Sequence, residues 1–81
     1  MYYVYAIESL SRNYTYVGFT NNFERRLLEH NSGYNKSIKP YLPFKLIYIE
    51  TVETSEEARK REKFLKSGIG KKFLKGYQNQ T

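Results

Sequence analysis

Five side chains in this sequence have the types and spacing to act on a phosphodiester. They are the phenols of Tyr5 and Tyr16, the Arg26 guanidinium, the His30 imidazole and the Glu62 carboxylate. A carboxylate can hold one hard divalent cation such as Mg²⁺ or Mn²⁺, a guanidinium can neutralise charge on a phosphate, and phenols can bond, stack or titrate. Each group also has a plainer reading. A lone histidine bordering an apolar face is more often a satisfied boundary residue, tyrosines in a small core are more often packing, and a glutamate on a sheet-facing stripe is more often ion-paired or bent out to water. What sets these five apart is that the elements carrying them should bring them to one side of one small sheet.

Those elements follow from the period of the apolar residues. Residues 2–7 (YYVYAI) and 14–19 (YTYVGF) are β-branched and aromatic, and the polar ESLSRN between them makes an antiparallel hairpin. Tyr3, Tyr5 and Ile7 share one face of the first strand, as Tyr14, Tyr16 and Gly18 do of the second. Asn21-Asn22-Phe23-Glu24 has the spacing of a capping box with Asn21 as the cap, which predicts a helix over 22–31 ending near Gly33. On that helix His30 and Arg26 border the face that Phe23 and Leu27 bury. A basic loop over 33–43 holds Lys36, Lys39 and two prolines. FKLIYIE (44–50), the most apolar strand, is expected to be central or best covered. Thr54-Ser55-Glu56-Glu57 opens a second helix that should reach Ser67, and the tail adds one helical turn around Phe73 and Leu74. Glu62 falls inside the stripe formed by Ala58, Leu65 and, were the helix to extend that far, Ile69. The order ββαβα with a short C-terminal helix defines an α+β class, a three-stranded antiparallel sheet flanked by helices.

Composition narrows the chemistry further. Eighty-one residues suit a single domain spanning 1–81. With no cysteine and one histidine, disulfide frameworks and thiolate or histidine-rich metal sites are excluded. No segment is long and apolar enough for a membrane span, and the first residues lack a signal pattern, so a cytoplasmic protein without a membrane partner is expected. The net charge is +6, and residues 54–75 alone hold eight basic groups against three acidic ones. A solvated lysine and arginine face is the bland reading of that segment. Its nearly single sign after Glu57 favours contact with a phosphate backbone by Arg59, Lys60, Lys63, Lys66, Lys71 and Lys72, joined by Lys36 and Lys39 of the loop. Tyr34, Tyr41 and Tyr77 are candidates for stacking on bases.

With these residues in place, the sequence resembles the GIY-YIG nucleases over nearly its whole length. The first signature is present as Tyr3-Val4-Tyr5 and the second as Tyr16-Val17-Gly18, with ten residues between Tyr5 and Tyr16. The family's helix arginine matches Arg26 within NNFERRLLEHNSG, and its metal-binding glutamate matches Glu62 within EEARKREKFLK. The resemblance is to small stand-alone members. It implies a metal-dependent DNA endonuclease of low sequence specificity, with roles of the repair or recombination kind. In that scheme Tyr5 and Tyr16 lie at the attacking water and the phosphate, Arg26 on the scissile phosphate, and Glu62 is the protein ligand of one Mg²⁺ or Mn²⁺. His30 matches a histidine that assists proton transfer in some members. Which phenol is the base stays open; an ordinary phenol is ionised to only about one part in a thousand at pH 7, so the base needs either a direct proton relay or a neighbouring cation, Arg26, a protonated His30 or the metal, to lower its pKa. The sequence departs from the family at Tyr3, where glycine is usual, and at Phe19 and Leu74, where repair subunits carry lysine and asparagine. A domain this small has little area for reading bases, so specificity would come from DNA structure, a second copy or a protein partner. The alternative reading is a non-catalytic nucleic-acid-binding module using the basic helix and surface aromatics; a protein-interaction adaptor is a more distant third.

Overall fold

A computed structural model of the chain describes residues 1–32 and 39–78. The elements are β1 (Tyr2–Ser9), β2 (Thr15–Thr20), α1 (Phe23–Asn31), a 3-10 turn (Lys39–Tyr41), β3 (Phe44–Val52), α2 (Ser55–Lys66) and α3 (Gly68–Gln78). They form an α+β fold with a three-stranded antiparallel sheet in the order β2-β1-β3.

The central strand is β1, not β3 as its apolar sequence suggested. Val4, Tyr5, Ala6 and Ile7 are all at most 1% exposed, so both faces of β1 are covered, whereas Leu46 and Ile49 of β3 stay about two-fifths exposed at 40% and 38%. Alternation along β1 therefore feeds two cores. Val4, Ala6 and Val17 pack against Ala58 and Leu65 of α2 and Leu74 of α3. Tyr5 and Ile7 pack on the opposite face with Phe44, Tyr14, Tyr16 and the α1 residues Phe23 and Leu27. The register of β1 against β3 shifts between Ala6 and Ile7, whose partners are Tyr48 and Leu46, leaving Ile47 as an extra residue in β3.

The cap of α1 is Asn22, one residue beyond the expected Asn21, and its side chain accepts from the Arg25 amide at 3.1 Å. Thr54 caps α2 as expected, accepting from Glu57 N at 3.2 Å. The tail is a full eleven-residue helix rather than one turn. Ser67 makes the corner: it ends α2, and its Oγ accepts from Gly70 N at 3.1 Å as α3 begins. The two helices meet so closely there that a side chain at Gly70 would run into the Phe64 carbonyl and come within 2.5 Å of Leu65 Cα. Ile69, which would have continued the α2 stripe, is instead 72% exposed on α3. Arg61 ties α2 to β3, its Nε 3.0 Å from both Glu50 oxygens, while the Tyr48 hydroxyl donates to Glu50 at 3.0 Å.

Candidate active site

The two phenols are not directly opposite each other. Tyr5 pairs with Gly18 and Ile7 pairs with Tyr16, so the rings meet on the diagonal with centroids 6.3 Å apart. Gly18 makes that meeting possible: a Cβ there would lie 2.9 Å from a Tyr16 ring carbon and 3.0 Å from the Tyr5 hydroxyl. The glycine of the Tyr-Val-Gly signature is thus the space that two aromatic rings occupy.

From α1, His30 closes the cluster. It is 1% exposed, its ring lies 4.7 Å from that of Tyr16, and its Nε2 is 2.8 Å from the Tyr5 hydroxyl. Burial holds the His30 pKa below its usual value, and the Arg26 charge pushes it the same way against a smaller upward pull from Glu29. Burial pushes the Tyr5 phenol up to about 12, with the Tyr16 and Glu62 fields adding to the rise and Arg26 opposing it. Both groups are neutral at pH 7, and in the tautomer of His30 that carries its ring proton on Nδ1 the Tyr5 O–H donates to Nε2. The expected lowering of a phenol by a protonated histidine is therefore not available at Tyr5, and the Arg26 charge does not overcome desolvation there. Tyr16, half-buried on the edge strand, is the phenol that remains in reach of solvent.

Arg26 sits one turn before His30 and is half-buried. Burial alone would lower its pKa, but bonding to the Tyr5 and Tyr16 phenols and the fields of both raise it overall. Its Nη1 also lies 3.4 Å from Glu29 on the next turn. Glu62 stands on α2; its side chain is 24% exposed and its carboxylate lies 3.7 Å from the Lys66 ammonium. The structure thus gathers Tyr5, Tyr16, Arg26 and His30 into one packed group, with Glu62 close enough to be felt by Tyr5. Among the described residues, no three His, Cys, Asp or Glu side chains converge as a metal cage. A Mg²⁺-like ion needs only one or two carboxylates, because water and substrate phosphate fill its remaining positions, and a single partly buried Glu62 fits that demand.

Of the basic residues named from sequence, Lys39, Arg59, Lys60, Lys63, Lys66, Lys71 and Lys72 are exposed, while Lys36 lies outside the described residues. Tyr34 lies there too. Tyr41 is already stacked on Tyr14 at 4.1 Å with Arg12 above it, so its ring belongs to the core edge, whereas Tyr77 remains 43% exposed beside Tyr48. Arg61, one of the eight basic groups of residues 54–75, is paired with Glu50, a pairing that has no signal in helix periodicity.

The family model described as the GIY-YIG catalytic domain matches residues 1–78. The chain belongs to that nuclease-type family. Its relatives are small proteins named UPF0213. One from Clostridium perfringens is 39% identical over 67 residues, covering 82% of this chain and 71% of that protein. Another from Staphylococcus saprophyticus is 33% identical over 75 residues, covering 91% of this chain and 90% of that protein. The solution NMR structure of a UPF0213 protein from Bacillus halodurans superposes with a TM-score of 0.57 at 31% identity, covering 99% of this chain and 93% of the other. No helix among the described residues is long and apolar enough to cross a membrane.

Proposed function

We propose that the protein is a metal-dependent endonuclease that hydrolyses DNA phosphodiester bonds with little sequence preference. The observation that carries this reading is the cluster of two phenols beside one guanidinium, Arg26, whose charge acts on both, with the second phenol, Tyr16, half-buried on the edge strand. Arg26 binds the scissile phosphate, exchanging its weak 3.4 Å partner Glu29 for a doubly charged-assisted contact. Tyr16 orients the attacking water through its phenol oxygen. Tyr5, held neutral and donating to His30, fixes the position of the ring against which Tyr16 packs and keeps the pocket dry on that side. Glu62 would hold one Mg²⁺ or Mn²⁺, which when bound supplies Lewis-acid neutralisation of charge developing on the phosphate. The exposed lysines and arginines of α2 and α3 supply sequence-blind attraction to the backbone. Target choice then falls to DNA structure, a second copy or a protein partner. Repair or recombination, in the cytoplasm, is the setting in which such an activity would act.

One observation favours the binding-only alternative: the Glu62 carboxylate already has Lys66 as a counter-charge at 3.7 Å. Supercoiled plasmid incubated with purified protein and Mg²⁺ or Mn²⁺ separates the two. Nicking that disappears in Glu62→Ala supports the nuclease. Absence of nicking across several metals at low salt, with DNA binding that survives Glu62→Ala, refutes it in favour of a binding module.

A further inference from the structure

Beside the free edge of β2 lie two openings that run into each other. The first, of about 380 Å³, reaches from Tyr16 to Lys66 and Lys71. The second, of about 500 Å³, continues to Lys75 and Glu8. They share Thr15 on the strand and Lys71 and Leu74 on α3, so together they form one groove that begins beside β2 and runs along α3 across the hairpin end of the sheet, to Glu8 of β1 and Ile47 of β3. Tyr16 is among its lining residues.

We propose that this groove, rather than the outer ridge of α2, carries the sugar-phosphate backbone of the DNA strand next to the scissile bond. The inference rests on the phosphodiester reading of the site and adds the path that the substrate takes away from it. Three features support it. Lys71, Leu74 and Lys75 stand at positions i, i+3 and i+4 of α3; Leu74 is 5% exposed, so it anchors that face and sets the two exposed ammonium groups along the groove. Its one acidic lining residue, Glu8, is 3.9 Å from Lys45, which leaves the groove's charge positive. Among the described residues, strand β2 pairs with β1 alone, so its outer row of peptide groups borders the groove and offers donors of the kind that phosphate oxygens accept. Arg59, Lys60, Lys63 and Lys72, which the charge count alone ranks equally with Lys71, line neither opening.

The test uses the full chain, a short fluorescein-labelled single-stranded DNA, and EDTA throughout so that cleavage plays no part. Each phosphate contact to a single strand contributes a salt slope of about 0.7, which at about 0.1 M salt is roughly a 5-fold gain in affinity. Removing two contacts with the double variant Lys71→Ala, Lys75→Ala is expected to weaken binding roughly 25-fold and to reduce the slope by about 1.4. The pair Lys71→Arg, Lys75→Arg keeps wild-type binding, which separates lost charge from damaged folding. The pair Lys60→Ala, Lys63→Ala is expected to cost markedly less. Equal binding by wild type and the Lys71/Lys75 alanine pair, or a larger loss in the Lys60/Lys63 pair, overturns the groove while plasmid nicking still decides the activity. No binding of single-stranded or duplex DNA by the wild type overturns both.

Discussion

Replacing Tyr5 with phenylalanine removes one oxygen and keeps the ring. The hydroxyl that is lost donates to His30 Nε2 at 2.8 Å, and Tyr5 and His30 are each 1% exposed, so no water takes its place. Leaving a buried acceptor without its donor costs about 1–3 kcal/mol. At about 4–8 °C per kcal/mol for a domain of this size, that is a melting temperature lower by roughly 5–20 °C near pH 8. The pH dependence supplies a second, independent signature. Tyr5 titrates near 12 in the folded state against an ordinary phenol value of 10.0. The folded form therefore holds this proton more tightly, so the stabilisation is complete below pH 10 and is lost as pH rises through 10 to 12. At about 1.36 kcal/mol per unit, the two-unit difference sets the loss at roughly 3 kcal/mol. Tyr14 and Tyr48 are also raised, by burial first, but both are present in each protein and cancel in the comparison. Urea unfolding at intervals from pH 8 to 12 should show the wild type more stable by about 1–3 kcal/mol at the start, with that advantage shrinking to nothing or reversing by pH 12. A constant gap across the series would refute the assignment of a buried, proton-donating Tyr5.

Four further outcomes are expected. Gly18→Ala forces a Cβ into the space between Tyr16 and Tyr5, and should lower stability by about 1–3 kcal/mol in thermal melts and abolish nicking; Gly68→Ala, with nothing within 4 Å, is the silent control. Gly70→Ala meets main chain rather than side-chain ends, so it should destabilise at least as much as Gly18→Ala by the same measurement. His30 titrates below its ordinary 6.5 in the folded state, so its contribution is present above that value and lost as pH falls through the folded pKa; urea midpoints between pH 7 and 4 should fall in the wild type and flatten in His30→Gln. Glu62→Gln should leave the melting temperature within a few degrees, because its counter-charge Lys66 is 56% exposed, yet remove metal-dependent nicking of plasmid.

The hairpin, the first two helices and the α+β class were legible because they rest on local signals: alternation over YYVYAI, a glutamate three residues after a capping threonine, and a glycine after each of those helices. The order of the strands was not. Apolar letters marked FKLIYIE as central, yet the strand buried on both faces is the one whose hydrophobic bulk is partly written as tyrosine. The length of α3 was hidden for a related reason. Its glycines lower local propensity, and the helix stands because Leu74 is buried and Gly70 lets it lie against α2. At the site, the identities of Tyr5, Tyr16, Arg26, His30 and Glu62 could be read from spacing and resemblance, but the division of labour between the phenols could not. That division depends on burial and on which hydroxyl His30 accepts, and both are properties of packing across 25 residues of sequence.

Because successive residues of β1 point to opposite faces, Tyr5 and Ile7 belong to the phenol cluster while Val4 and Ala6 seat the helices that bring Glu62. One strand thus serves as a two-sided ruler. A change at Ala6 that tilts α2 would move the carboxylate relative to the phenols without touching a single residue of their cluster, whereas a change at Ile7 would disturb the phenols and leave the carboxylate's support alone. The distance between the two halves of the chemistry is a quantity that the interior of the protein can adjust by itself, through small apolar side chains that never meet the substrate.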